Sequence, residues 1–128
     1  MKKTKICLLG VLVLVGIGYV LFAHHSRLNA IKATLQWARL APFPEEATNF
    51  KIEIEGSMFT RAFRVSFKAD TNIIHQWLNA SPGIKDAVIT IDDGVVKKYE
   101  IKPGGGAQYA EVILHVQENL VEIYTYWS

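Results

Sequence analysis

Three hydrophobic periods follow one another along the chain. From Ile6 to Ala23 (ICLLGVLVLVGIGYVLFA) eighteen residues run without a charge. As a helix this stretch spans about 27 Å, close to the hydrocarbon thickness of a bilayer. In lipid every backbone polar group needs a partner within the segment, so a helix is the form expected. From His24 to Leu40 (HHSRLNAIKATLQWARL) the period changes to one apolar stripe at Leu28, Ile31, Leu35 and Ala38, widened by Trp37 and Leu40. Arg27, Lys32, Gln36 and Arg39 occupy the other side, and Pro42 and Pro44 are expected to stop the helix. Beyond Pro44 the period becomes mostly two.

Phe50 to Glu55 (FKIEIE) alternates strictly, as a half-buried strand does. A turn at Gly56-Ser57 and a second strand over Met58 to Lys68 follow, with Phe59, Phe63, Val65 and Phe67 in phase. Arg61 shares that phase, which predicts a bulge or an arginine snorkelling at a sheet edge. Asp70 to Ala80 (DTNIIHQWLNA) reads as a helix capped by Asp70 or Thr71. It buries Ile73, Ile74, Trp77 and Leu78, and Pro82-Gly83 ends it. Ala87–Ile91 and Val95–Ile101 form a hairpin around Asp92-Asp93-Gly94, and Pro103-Gly104-Gly105-Gly106 is a flexible connection or a sharp corner.

The last two strands carry their own register. A two-residue turn at Glu118-Asn119 sets Leu114 opposite Ile123, Val112 opposite Thr125, His115 opposite Glu122 and Glu111 opposite Tyr126. A shift of one residue would mix apolar with charged positions. One face is then apolar, and the other gathers Tyr109, Glu111, Ile113, His115, Glu122, Tyr124 and Tyr126. The fold class expected is α+β: an N-terminal transmembrane helix, then a small, mainly antiparallel sheet of about six strands with helices packed on it. It divides into residues 1–23 (cytoplasmic N-terminus and signal anchor), 24–44 (membrane-proximal amphipathic helix and Pro-containing linker) and 45–128 (exported α+β domain).

Charge orients this arrangement. Lys2, Lys3 and Lys5 precede the apolar run and no acid occurs before Glu45, so the N-terminus is expected in the cytoplasm and the domain outside, periplasmic or at the cell surface. The rival is a cleaved signal peptide and a secreted domain. Its apolar core is shorter, and it ends in small residues where Val20-Leu21-Phe22-Ala23 places bulky ones. Gly10, Gly16 and Gly18 lack the spacing of a helix-dimer motif. Without the three lysines, eleven basic groups face twelve acidic ones, a net of −1. That gives no electrostatic footprint for nucleic acid. The one cysteine, Cys7, lies in the apolar run, so the remainder contains no disulfide and suits a bacterial envelope protein.

Candidate chemistry is sparse. No GxSxG, HExxH, CxxC or phosphate-loop pattern occurs, the four histidines lack metal-ligand spacing, and no metal or cofactor is implied. The tyrosine face is the candidate binding surface, through Tyr109, Glu111, His115, Glu122, Tyr124 and Tyr126. Arg61 and Arg64 are the first choice for anion contact. The function expected is a membrane-anchored interaction module, an accessory subunit of an envelope complex, held by the bilayer through residues 6–23 and partnered by an envelope protein. The alternative is a small exported hydrolase or ligand-binding domain using His115 and Glu122 as acid and base.

Overall fold

A computed structural model describes residues 2–128 of the chain; Met1, the start of the expected cytoplasmic terminus, lies outside the described residues. The uncharged run and the amphipathic stretch form one uninterrupted helix, α1, Lys2–Trp37. Its N-terminal part is wholly exposed, long and apolar enough to cross a membrane. Only its last two turns are buried against protein. There Ala30 and Thr34, with Ala38 just past the helix end, are fully enclosed, whereas Leu28 of the expected stripe stays 43% exposed. The buried face is therefore rotated towards small residues, whose short side chains let the helix backbone approach the sheet closely. Trp37 closes the contact by stacking on Phe63, ring centroids 5.3 Å apart.

Backbone geometry ends α1 before the prolines do. Arg39 takes a left-handed conformation (φ 51°). Its N–H donates to the Gln36 carbonyl and that of Leu40 to the Leu35 carbonyl, the paired bonds of a Schellman motif. The apolar contact that accompanies this motif is present, since Leu35 and Leu40 both join the core. The Arg39 side chain stays in use: Nε donates to the Lys102 carbonyl (2.9 Å) and Nη2 to Asp86 (2.6 Å).

Six strands follow: β1 (Thr48–Gly56), β2 (Arg61–Lys68), β3 (Val88–Asp92), β4 (Val96–Ile101), β5 (Tyr109–His115) and β6 (Leu120–Trp127). All pairs are antiparallel, and the order across the sheet is β1-β2-β6-β5-β4-β3. Between β2 and β3 lie α2 (Thr71–Ala80) and the short α3 (Pro82–Lys85). Asp70 occupies the N-cap of α2, but its side chain makes no capping bond. Ile74, Trp77 and Leu78 of α2 are buried with Phe67, Val112, Val121 and Ile123 from the sheet, and Phe43 and Phe50 pack against this core. Each such large side chain contributes roughly 1.5–3 kcal/mol by leaving water. The end of α1 and all of α2 lie on the same side of the sheet.

Two strand readings are corrected. β2 begins at Arg61, so Met58 and Phe59 belong to the turn and stand 85% and 76% exposed. Arg61 sits in the apolar phase without a bulge, because its guanidinium folds over the turn and donates to the carbonyls of Ser57 (2.6 Å) and Thr60 (3.2 Å). The β5–β6 register is two residues away from the expected one: Leu114 faces Val121, Val112 faces Ile123, Glu111 faces Tyr124 and His115 faces Leu120. The cause is a four-residue loop, Val116–Asn119, in place of a two-residue turn. Asn119 is left-handed there (φ 50°), the Glu118 N–H returns to the His115 carbonyl, and Val116 bonds to Val95. A slide of two residues exchanges partners and leaves every side chain on its original face.

Candidate functional site

Both helices cover one side of the sheet, so the tyrosine face lies open on the other. Alternation along β5 and β6 brings Tyr109, Glu111, Ile113 and His115 to that side with Glu122, Tyr124 and Tyr126. Strand order adds neighbours that are distant in sequence. Arg64 of β2 lies opposite Tyr124 and Ser66 opposite Glu122. Lys98 of β4 lies opposite Ile113.

These side chains make a continuous polar ladder over five strands. Glu55 lies 3.8 Å from Arg64. The Arg64 guanidinium sits 4.5 Å from the centre of the Tyr124 ring. Tyr124 and Tyr109 have centroids 6.0 Å apart. Tyr109 Oη donates to Glu111 Oε2 (2.7 Å), and the same oxygen receives Lys98 Nζ (2.9 Å). Glu111 is buried, so its charge depends on those two donors. Burial, then the bond to Glu111, raises the Tyr109 phenol above its ordinary range. The Glu111 carboxylate raises Lys98 through its hydrogen bond and its charge. Both shifts favour the protonated forms of Lys98 and Tyr109. His115 Nε2 lies 3.5 Å from Glu122 and, although buried, makes no hydrogen bond.

A trough of about 620 Å³ runs over β1, β2, β6 and β5. Of the residues singled out by sequence, Arg64, Glu111, Glu122 and Tyr124 line it. Tyr109 supports Glu111 from beside it, and Tyr126 and His115 stand on the same face outside it. Arg61 is separate, on the helix-bearing side at the β1–β2 turn. Lys51, Ser66 and Lys68 also line the trough, and sequence reading missed them. The alternating polar positions of β1 and β2 were visible, but nothing local says that β2 pairs with the final strand. The cations Lys51, Arg64 and Lys68 come from β1 and β2, and the acids Glu111, Glu118 and Glu122 from β5, β6 and their loop. Glu53 of β1 lines it as well, so the β1–β2 wall is net basic, three cations against one acid, and the opposite wall is acidic.

Among the described residues no group of three or more His, Cys, Asp or Glu is placed to hold a metal ion. The arrangement offers fixed charges, aromatic faces and one histidine–carboxylate contact. In comparison with known proteins, no family model, no curated protein and no solved structure matches the chain.

Proposed function

We propose that the protein is a membrane-anchored interaction module whose open sheet face holds a segment of another envelope protein, as an accessory subunit would. The observation that carries this reading is a preordered polar ladder on an uncovered sheet face, attached without a linker to an exposed apolar helix. Lys2, Lys3 and Lys5 orient the helix with its N-terminus in the cytoplasm and the domain outside. A trough with one net-basic wall, which also carries Glu53, and one acidic wall favours a polypeptide bearing both signs of charge, and the tyrosines supply rigid contact area. Photo-crosslinking in cells, from a benzoyl-phenylalanine placed at Ser66 in full-length protein, tests this. One recurrent envelope partner is expected from Ser66 and none from Thr90 on the distant edge strand. Only self-crosslinks, or equal capture from both positions, would overturn the reading.

A second reading, a small hydrolase or ligand-binding domain, draws on the buried and unpartnered Nε2 of His115 beside Glu122. The variant His115→Ala separates the two. Partner capture persists in this variant if the face is an interaction surface, and any hydrolytic or small-ligand activity disappears if His115 is the acid–base group.

A further inference from the structure

The path of α1 gives the domain a definite posture. The C-terminal end of α1 is bound on the β4 side of the sheet: Gly104, in the β4–β5 connection, donates to the Trp37 carbonyl, and Gly83 of α3 to the Arg39 carbonyl. Its preceding turns lie against β6, β2 and β1. The helix therefore crosses from the β1 edge inward, and its apolar part leaves the domain past β1. Ala30, the first fully buried of the described residues, lies seven positions after Ala23, the last of the apolar run. That is about 10 Å of helix, against roughly 5–8 Å for the headgroup layer on one side of a bilayer. The β1 edge thus stands at headgroup level.

Next to that edge the β1–β2 turn presents Met58 and Phe59, the two most exposed large apolar side chains among the described residues. Several of the turn's own polar groups are occupied. The Ser57 N–H donates to the Thr60 carbonyl, and the Phe59 N–H to Ser57 Oγ (3.3 Å). The Ser57 and Thr60 hydroxyls meet at 3.0 Å. Arg61 caps the carbonyls of Ser57 and Thr60. Each backbone group satisfied internally lowers the cost of leaving water, and two large apolar residues at the tip gain by doing so. Ile54, 47% exposed, extends the apolar surface along β1, while Glu53 and Glu55 point to the trough side.

We propose that the β1–β2 turn is a second membrane contact, with Met58 and Phe59 seated in the headgroup–acyl boundary of the bilayer that α1 crosses. This rests on reading α1 as the membrane span, and it adds a lipid-facing edge that fixes the tilt of the domain. The test uses full-length protein in vesicles of phosphatidylcholine and phosphatidylglycerol. Cys7, which is exposed, is first changed to Ser. Single cysteines are then introduced as Met58→Cys, Phe59→Cys, Tyr19→Cys and Val95→Cys, and each is labelled with an environment-sensitive fluorophore. Nitroxide lipids are the quenchers. Val95 lies at the β3–β4 turn, at the opposite end and edge of the sheet. The expected result is quenching and a blue shift at 58, 59 and 19, several-fold stronger than at 95. Quenching at 19 alone overturns the second contact and leaves the span intact. No quenching at 19 overturns both. Equal quenching at all four sites overturns the posture, because the domain then has no preferred edge toward lipid.

Discussion

Gly83 is where the end of the long helix is locked to the sheet domain, and replacing it with alanine should cost more than its position in a short surface helix suggests. Its backbone is not left-handed, so the effect is steric. A β-carbon at Gly83 would meet the Ala38 carbonyl oxygen well inside 3.0 Å, and would press on the Arg39 carbonyl and Ile101 as well. None of the first two can yield cheaply. Both are backbone atoms of the α1 terminus, held by the Schellman bonds and by the Gly83 N–H to the Arg39 carbonyl (2.7 Å). Overpacking of this kind costs about 1–3 kcal/mol. Loss of that hydrogen bond adds about 0.5–1.5 kcal/mol. The better helix propensity of alanine returns at most about 1 kcal/mol. The net expectation for Gly83→Ala is destabilisation of about 0.5–4.5 kcal/mol, centred on about 2.5 kcal/mol. It can be read as a shifted midpoint in urea unfolding of the micelle-embedded full-length protein, followed by tryptophan fluorescence. Trp37 and Trp77 both lie near this junction. Gly10→Ala is the control, since nothing approaches a β-carbon there within 4 Å. A Gly83→Ala midpoint indistinguishable from that of wild type would refute the steric reasoning.

Thr125→Val should stabilise the protein by about 1 kcal/mol, because the Thr125 hydroxyl is fully buried without a partner and valine fills nearly the same space; urea titration decides it, and a loss of stability would mean that the hydroxyl is satisfied. Tyr109→Phe removes a hydrogen bond to a buried carboxylate and should cost about 1.5–3 kcal/mol, measured in the same way. Acid should weaken the fold through Asp86 and Asp93. The bond from Arg39 lowers Asp86, and the Val96 and Val95 amides lower Asp93, both from an ordinary 3.8. Their contribution is present above pH 3.8 and disappears as pH falls through the lowered values. Asp86→Asn should therefore flatten the acid limb of a stability–pH curve. Alkali acts through the opposite shift: Lys98 and Tyr109 are raised, from 10.5 and 10.0, so their contribution is complete below pH 10 and fades as pH climbs through the raised values.

Periodicity and punctuation made the elements legible, because strict alternation and a Pro-Gly stop are local signals. The α+β class, the strand that begins β1, the α2 helix and the two faces of the final hairpin could be read that way. What escaped depends on geometry that sequence encodes weakly. The β5–β6 partners slid because a slip of two residues preserves the pattern, and only the left-handed Asn119 reveals the longer loop. The buried stripe of α1 was misplaced because Leu28 and Ile31 look like core, whereas close docking selects Ala30 and Thr34. Arg61 looked anomalous because its partners are carbonyls four residues away or less, and carbonyls leave no trace in side-chain pattern. Half of the candidate site could be read from β5 and β6. The basic wall could not, since the β2–β6 pairing joins segments some sixty residues apart, Arg61 to Trp127 at its widest.

The unbroken backbone of α1 turns residue number into compass bearing. Each helical residue adds about 1.5 Å and 100°. One alanine inserted between His25 and Ser26 would swing the trough through about 100° around the helix axis while lifting the domain only about 1.5 Å. Seven inserted residues would restore the heading to within about 20° but raise the domain about 10 Å. Under the proposed membrane-anchored reading, a partner fixed in the bilayer would thus meet the trough at one helical phase and miss it at the next. The length of this seemingly featureless stretch sets the direction in which the sheet faces.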